Sequence, residues 1–384
     1  MLMSALSRKQ NTSNKHLKEV ASVFFKLGCF AFGGPAAHIA MMESEIIQKR
    51  KWMTQEHFLD LMGATNLIPG PNSTEMTMHC GHERAGKAGL FVAGISFIFP
   101  AVIITGILAY LYVEYGALPQ VEPFLFGIKP AVLAIIASAV FKLGKKAAKT
   151  TELIVLGILV LITTLLGINE IIALLSAGAL GAIYFYTKAS ITKSPKSILP
   201  LPLLASSLLI KTPAVKIFVT FLKVGAILYG SGYVLFAYLD AELVSRGWLT
   251  RTELIDAIAV GQFTPGPVLS TSTFIGYQLS GLWGAIAATA GIFLPSFIFV
   301  MILNPILPKL QGSKVFRYFL DSVNIAAVAV MLAVLLTMSI ETLIDWRAWV
   351  IAIASAFFVF SKWKVNIMWI IAGGAFIGYI LLLV

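Results

Sequence analysis

Two Pro-Gly-Pro triplets interrupt apolar stretches of the chain, one at Pro69-Gly70-Pro71 and the other, 196 residues later, at Pro265-Gly266-Pro267. Because proline lacks an amide hydrogen and its ring clashes with the preceding turn, each triplet must end one helix and precede another. A helix that begins after such a break directs unpaired N–H groups and the positive end of its dipole towards the break. If the breaks lie at membrane depth, they predict anion-binding sites.

Amide and hydroxyl side chains flank both triplets and are suitable hydrogen-bond donors to an oxyanion. The candidate binding residues at the breaks are Asn66, Pro69, Gly70, Pro71, Asn72 and Ser73 in the first half of the chain, and Gln262, Thr264, Pro265, Gly266 and Pro267 in the second. The alternative is that both triplets form turns outside the membrane, since Pro-Gly commonly marks a turn. Their repetition at matching positions favours the membrane interpretation.

A second candidate element occurs once in each half, as FGGP at 32–35 and as YGSG at 229–232. Its candidate binding residues are Gly33, Gly34, Pro35 and Gly230. Glycine lets a ligand or another backbone approach closely. Small residues are also common where membrane helices pack, so a packing role is an equal alternative.

Lys26 and Lys223 each lie within an apolar run, where a charge costs on the order of 3 kcal/mol. A cation that faces a cavity would attract a dianion, so both lysines are candidate binding residues. The alternative is a lysine that extends to the membrane surface. Lys129 is a third candidate, without a counterpart in the second half.

Three carboxylates, Glu43, Glu75 and Asp240, are candidates for proton or ion coupling, although such residues are more often solvated helix ends. The alternative of an intramembrane metal enzyme rests on His79 and His82, which share a helix face but are fewer than the three ligands of a catalytic zinc site. The sequence contains no nucleophile triad and no nucleotide-binding motif. We therefore predict a protein that is not an enzyme and needs no metal or cofactor.

The composition places the chain in lipid, with 58% hydrophobic residues, 12% charged residues and a mean hydropathy of +0.87. The uncharged stretches 88–113 and 282–308 each exceed the roughly 20 residues that a helix needs to span a bilayer. Long apolar runs without alternation predict an all-α, polytopic membrane protein. The net charge of +11 is concentrated in short clusters between these runs, which is typical of cytoplasmic loops rather than of a nucleic-acid-binding surface. The polar first residues predict a cytoplasmic start and no removable signal peptide.

The chain contains an internal repeat. FFKLGCFAFGG, from Phe24, is matched by FLKVGAILYGS, from Phe221, and KWMTQEHFLD by GWLTRTELID. We predict a first repeat over 19–187, a connecting segment over 188–214 and a second repeat over 215–384. The positions of the basic clusters favour opposite orientations of the halves, with re-entrant hairpins at 20–42 and 56–83. This inverted repeat requires an odd number of crossings between the halves, for which 198–210 is a short candidate.

Four long strings carry a resemblance to a known protein family. They are FGGPAAHIA, IPGPNSTE, HERAGKAGLFVAGISFIFPA and AVGQFTPGPVLSTSTFIGY. In these strings the sequence resembles the chromate transporter family in its two-domain long form, over nearly the whole chain. The resemblance implies a protein that expels chromate from the bacterial cytoplasm, with some relatives linked to sulfate. It also implies halves of opposite membrane orientation and motif residues that are candidates for binding.

The sequence therefore predicts a secondary transporter that exports chromate across the inner membrane, driven by the membrane potential and open to ion coupling. Each elementary charge that moves through 100 mV gains about 2.3 kcal/mol, so a dianion that leaves a negative interior gains roughly twice that. The alternative substrate is sulfate or another tetrahedral oxyanion. The expected partners are this anion and the lipid bilayer, with a homodimer left open and nucleic acid not expected.

Overall fold

The computed structural model describes residues 2–31, 34–65, 69–116, 118, 120–190, 213–229, 234–303, 314–361, 363 and 365–383. These residues form helices and connecting turns, and no strand occurs among them. The predicted all-α fold is confirmed. The candidates Gly33, Asn66 and Gly230 lie outside the described residues, as do the predicted crossing at 198–210 and most of the connecting segment.

The first half contains seven helices. They are α1 (Leu2–Phe30), α2 (Gly34–Glu43, continued by a π-helical turn over Ser44–Lys49), α3 (Gln55–Thr65), α4 (Asn72–Tyr115), α5 (Glu122–Ala147), α6 (Thr151–Leu165) and α7 (Glu170–Ser190).

The second half repeats this order. Its helices are α8 (Pro213–Ile227), α9 (Leu235–Leu239, continued by a π-helical turn over Asp240–Val244), α10 (Arg251–Phe263), α11 (Thr271–Leu303, preceded by a 3-10 turn over Val268–Ser270), α12 (Lys314–Thr342), α13 (Trp346–Phe360) and α14 (Ile367–Leu383).

Both Pro-Gly-Pro triplets separate two helices, as their residue types require. The first triplet lies between α3 and α4, and Pro71 is the cap of α4. The second lies between α10 and α11, and Pro267 caps the 3-10 turn that leads into α11. Each half therefore contains the predicted broken helix.

The longest helix of each half is itself a hairpin. Gly86 has a φ of 62° and Gly281 a φ of 57°, a backbone conformation that side chains other than glycine rarely adopt. At these kinks α4 turns from 72–84 (α4a) into 87–115 (α4b), and α11 turns from 271–279 (α11a) into 282–303 (α11b). The two arms touch through glycine backbones, Gly81 against Gly89 in α4 and Gly276 against Gly284 in α11.

The hairpin helices α4 and α11 are among the segments that can span a membrane. Five helical segments are long and apolar enough to cross a bilayer, namely Asn72–Tyr115, Glu122–Ala147, Ile171–Lys188, Val268–Ile302 and Arg317–Thr342. Three shorter apolar helices accompany them, Thr151–Leu165, Trp346–Phe360 and Ile367–Leu382. An exposed apolar stripe recurs at equivalent positions of α4b and α11b. It consists of Phe99, Ile103 and Ile107 in α4b and of Leu294, Ile298 and Ile302 in α11b. The chain is a multi-pass membrane protein.

The two halves are inverted relative to each other. Phe91 in α4b stacks on Phe297 in α11b with ring centroids 5.5 Å apart, and Val102, further along α4b, shares a cavity wall with Thr289, which lies earlier in α11b. These equivalent spanning helices therefore run antiparallel. A two-fold axis that relates antiparallel spanning helices must lie in the plane of the membrane, as in an inverted-repeat transporter.

The halves are also intertwined, because the late helices of each pack against those of the other. α5 packs against α13 and α14, and α12 packs against α6 and α7. Gly127 in α5 touches the backbone of Gly374 and Gly378 in α14. The large shared core that results makes the two repeats one structural unit.

Glu19 forms hydrogen bonds with residues at the ends of both re-entrant hairpins. Its carboxylate accepts hydrogen bonds from Arg50 at 3.1 Å, Trp52 at 3.2 Å and Arg84 at 2.7 Å. The segments 20–42 and 56–83 therefore enter and return on the same side, as predicted. The positive-inside rule assigns this face to the cytoplasm.

The inverted arrangement predicts opposite accessibility for Lys49 and Arg246, which occupy equivalent positions, 197 residues apart, and are both exposed. We expect Lys49→Cys to react with a membrane-impermeant maleimide only in everted vesicles and Arg246→Cys only in intact cells. Cys29 and Cys80 are replaced by alanine in both variants, and the parent without cysteines is the control. Labelling of both positions from one side would contradict the inversion.

Candidate functional site

The Pro-Gly-Pro breaks of the two halves are joined to each other's first helices by a reciprocal pair of backbone hydrogen bonds. Gly70 N–H donates to the carbonyl of Leu228, just after α8, at 2.5 Å. Gly266 N–H donates to the carbonyl of Ala31, just after α1, at 3.0 Å. We call these two contacts, each between a break of one half and the end of the first helix of the other half, the break crossing. Each break therefore contacts the opposite half of the chain, and an anion site at these breaks stays a prediction.

The break crossing is buried between helices. Pro69, Gly70 and Pro71 are all buried, and so are the residues of 264–267. Neither triplet is therefore a turn on the surface of the protein. Both triplets are thus enclosed by the protein, and their depth in the membrane stays a prediction.

Glycine is required in the centre of both triplets. Gly70 has a φ of 139° and Gly266 a φ of 86°. A Cβ atom on Gly70 would meet the carboxylate of Glu75 and, at 2.6 Å, the hydroxyl of Ser296. A Cβ atom on Gly266 would lie 2.9 Å from that of Ala101. The backbone therefore approaches its neighbours at the break crossing more closely than any side chain would allow.

Two helical segments begin at the break crossing. In α4 the amides of Thr74 and Glu75 bond back to the carbonyl of Pro71, at 2.8 and 3.1 Å. In the 3-10 turn before α11 the amide of Ser270 bonds to the carbonyl of Pro267 at 2.9 Å. The amides that precede these bonds have no acceptor within their own helix, and the helix dipoles place positive potential at both starts.

A layer of buried polar side chains surrounds the break crossing. It comprises Ser73, Thr74, Glu75, Thr77 and His79 of α4a, Thr105 of α4b, Gln262 and Thr264 at the end of α10, Ser270 to Thr273, and Ser296 of α11b. The Thr105 hydroxyl donates to that of Ser270 across the halves at 3.2 Å. Several other hydroxyls bond to carbonyls of their own helix, including Thr264 to Gly261 at 3.2 Å. These short hydroxyls can rotate from a carbonyl to a ligand.

Gln262 and Glu75 are the polar residues of this layer with the clearest unfilled hydrogen-bonding capacity. The Gln262 side-chain amide nitrogen is buried and has no hydrogen-bond partner among the described residues. Glu75 is fully buried, and its carboxylate lies against Gly70. Ser270 occupies the position equivalent to Glu75 in the second half. The Thr74 hydroxyl is also buried and has no hydrogen-bond partner among the described residues, so this layer offers at least two unpaired donors and one carboxylate.

Lys26 and Lys223 do not lie at the break crossing, but each belongs to a nearby cluster of charges. The Lys223 ammonium pairs with the buried carboxylate of Glu242, which also pairs with Arg246 at 2.7 Å. Two cations and one carboxylate leave this cluster with a net charge of +1. Lys26 lines a groove of about 440 Å³ on the surface of α1, and Glu45, equivalent to Glu242, pairs with Lys49 and Arg50 in the first half.

The other two candidate coupling carboxylates are held by hydrogen bonds away from the break crossing. Glu43 accepts from the side chain of Gln55 at 2.7 Å, and the equivalent Asp240 accepts from Arg251 at 2.9 Å. Of the three candidates, Glu75 is the one that the structure places at the breaks. Gly34 and Pro35 begin α2.

The positions of the histidines do not match those expected for a metal site. His79 is buried in α4a, and the carboxylate of Glu83 pairs with His57 at 3.2 Å. Within the described residues no group of three or more histidine, cysteine, aspartate or glutamate side chains is placed to hold a metal ion.

Sequence reasoning missed three residues that contact the break crossing or its polar layer. His38 places a ring nitrogen 3.0 Å from the Ala31 carbonyl, the acceptor of the Gly266 bond. Ser296 lies beside Gly70, and Thr105 bonds to Ser270, in each case from the opposite half. His38 stands inside the string FGGPAAHIA, which was an available signal. Nothing local to Ser296 or Thr105 indicates which break they reach.

A family model for the chromate transporter matches residues 18–182 and 215–379, one match for each half. The chain belongs to the chromate transporter family. It is therefore a multi-pass membrane protein of a transporter family rather than an enzyme.

Curated members of the family align with most of this chain. A chromate transport protein of Cupriavidus metallidurans is 28% identical over 372 residues, which cover 95% of this chain and 93% of the relative. A probable chromate transport protein of Synechococcus elongatus is 28% identical over 359 residues, 91% of each chain. An uncharacterized transporter of Methanocaldococcus jannaschii is 26% identical over 399 residues, 98% of this chain and 97% of the relative. No solved structure gives a significant match.

The family match also shows how the break crossing is built. Because it covers both halves, the break crossing is built from the same motif used twice in opposite orientations.

Proposed function

We propose that this chain exports chromate from the cytoplasm and that the anion passes through the break crossing. The proposal is supported by the chromate transport proteins among its relatives and by one structural observation that carries it. That observation is the reciprocal pair of Gly70 and Gly266 hydrogen bonds, which joins the break before α4 and the break before α11 each to the opposite half, among buried polar side chains.

The chemistry of the layer suits an oxyanion. Each helix start stabilises a nearby anion by about 0.3–1 kcal/mol when exposed, and more when buried. The proposed ligands are the side chains of Asn72, Ser73, Gln262 and Thr264 together with the backbone of the two triplets. A hydrogen bond from the amide of Gln262 to a charged oxygen would contribute roughly 1.5–3 kcal/mol.

The basic clusters supply the approach to this site. In this proposal the cluster of Lys26 and Lys49 faces the cytoplasm and that of Lys223 and Arg246 faces the outside. A net positive cluster raises the local concentration of a dianion at each entrance. Lys26 and Lys223 therefore act before and after the break crossing in this proposal, rather than as direct ligands within it.

The membrane potential supplies the driving force. A dianion that moves outwards through an inside-negative potential of 100 mV gains roughly 4.6 kcal/mol. A charged Glu75 would repel this anion at the break crossing, so we propose that Glu75 is protonated while the anion passes. Glu43 and Asp240 are secondary candidates for coupling, since Gln55 and Arg251 already bind them.

Sulfate is the second candidate substrate, because it has the same tetrahedral shape and the same charge as chromate. Hydroxyl and amide donors recognise both features and do not distinguish the two ions. Competition between unlabelled sulfate and labelled chromate ranks the two substrates.

Replacement of Gln262 by leucine removes the unpaired donor and keeps a similar volume. We expect Gln262→Leu to lower chromate uptake into everted vesicles about 10-fold or more, because a hydrogen bond to a charged group contributes about 1.5–3 kcal/mol. Uptake is measured with radiolabelled chromate at a fixed membrane potential and no pH gradient. The control is Gln120→Leu, at an exposed turn, and unchanged uptake by Gln262→Leu would contradict the proposed ligand.

Neutralisation of the two clusters tests the electrostatic approach. We expect Lys26→Gln and Lys223→Gln each to lower the uptake rate several-fold at low ionic strength, and the difference from wild type to shrink as salt is added, because exposed charges are screened. Lys188→Gln is the control, since Lys188 is an exposed cation paired with Glu152 on another helix. Normal rates for both variants at low salt would refute the role of these lysines.

A further inference from the structure

A second cavity lies between α4, α5, α10 and α14, apart from the break crossing. Its volume is about 510 Å³, and its walls are mostly apolar, formed by side chains such as Leu108, Ile128 and Phe376. The polar side chains in its lining are those of Asp256 and Tyr112. A carboxylate in such surroundings is unusual, because an ionisable residue within the membrane is costly and marks a functional site by default.

Asp256 connects the second half to two helices of the first. It lies in α10 and is 3% exposed. Its Oδ2 accepts a hydrogen bond from the Tyr112 hydroxyl of α4 at 2.7 Å, and the Lys129 ammonium of α5 lies 3.7 Å from the same oxygen. Its Oδ1 is buried and has no hydrogen-bond partner among the described residues. One oxygen is therefore held across the halves while the other remains available.

The charges around Asp256 are few. Tyr112 faces it from α4 and Lys129 from α5, whereas α14 presents the apolar residues Ile371 and Ala372 to the cavity. On α10 itself Glu253 lies three residues earlier and bonds to Thr250. Arg251, at the start of the same helix, is already paired with two carboxylates, those of Asp240 and Glu341.

The chemistry of this cavity fits a proton better than a metal ion. Hard cations such as Mg²⁺ and Ca²⁺ require about six oxygen ligands, whereas the lining offers one carboxylate and one phenol hydroxyl. Lys129 already occupies the position of a cation beside Oδ2. A proton needs only the free oxygen, Oδ1.

Asp256 is also placed to affect the break crossing. It lies on α10 six residues before Gln262, and α10 ends at Phe263, directly before the buried residues of 264–267. The ion pair and the Tyr112 bond hold α10 against the spanning helices α4 and α5. Removal of the negative charge would weaken both contacts, because each is strongest with an ionised carboxylate.

We propose that Asp256 is the proton-binding site through which this transporter couples a pH gradient to movement of α10. The site rests on the proposed chromate transport and adds to it a coupling residue that does not touch the anion. A proton from water bonds to Oδ1, the charge of Asp256 is neutralised, and the attraction of Lys129 for it is lost. α10 is then released from α4 and α5, and loss of the proton re-forms the contact.

The first half lacks this arrangement. Asp60 occupies the position equivalent to Asp256, 196 residues earlier, but it is exposed. Asp60 therefore provides a matched control with the same side chain on the equivalent re-entrant helix.

The experiment uses the full-length protein reconstituted in proteoliposomes, with chromate as the probe. Three modes are measured: chromate–chromate exchange, transport driven by a membrane potential at equal pH, and transport driven by a pH gradient at zero potential. We expect Asp256→Asn to keep exchange within about two-fold of wild type and to lose at least about 10-fold of the rate driven by the pH gradient. Asp60→Asn should match wild type in all three modes.

Tyr112→Phe provides a second, milder test. It removes one hydrogen bond that favours the ionised carboxylate, so the half-maximal pH of gradient-driven transport should move upwards by roughly one to two units. Rescue of coupling by Asp256→Glu would further support a protonatable group. A merely structural role would instead lower exchange and gradient-driven transport together.

The outcomes separate the two proposals. An Asp256→Asn protein that exchanges chromate and responds fully to the pH gradient overturns the coupling site and leaves chromate transport standing. A wild-type protein that carries chromate under none of the three conditions overturns the proposed function, and the coupling site with it.

Discussion

The structure depends on one constraint, which is that a helix broken inside a membrane must find partners for the backbone groups that the break exposes. Water is absent there, and each unpaired group costs several kcal/mol. In this protein each Pro-Gly-Pro break donates its glycine N–H to the carbonyl that ends the first helix of the other half. The breaks are thus stabilised by each other, and neither half can form its own without the second.

The inverted arrangement of the two halves makes this pair of reciprocal hydrogen bonds possible. A two-fold axis in the membrane plane relates the two breaks, so each can bond to the end of the first helix of the other half. The glycines at the kinks and in the triplets permit the close backbone contacts that result. The exchange of late helices between the halves then encloses the break crossing in a continuous core.

The sequence predicted the elements more successfully than their pairing. Helical spans, breaks and the repeat follow from hydropathy, proline chemistry and self-similarity, all of which are local or periodic. The partners of the breaks are not local: Gly70 bonds to Leu228, and Glu75 lies beside Ser296. The cluster of Lys223, Glu242 and Arg246 illustrates the same limit, because only the fold shows that one buried carboxylate pairs with both cations. Asp256 was visible only as one member of a repeated motif, since its partners Tyr112 and Lys129 come from the other half.

The position of the anion tests this account most directly. Chromium scatters X-rays anomalously, so a crystal of the protein soaked or grown with chromate locates the bound ion without ambiguity. We predict an anomalous peak within hydrogen-bond distance of the first turns of α4 and α11, next to Gln262. A chromium peak confined to the exposed basic clusters, with the break crossing closed and empty at saturating chromate, would contradict the account.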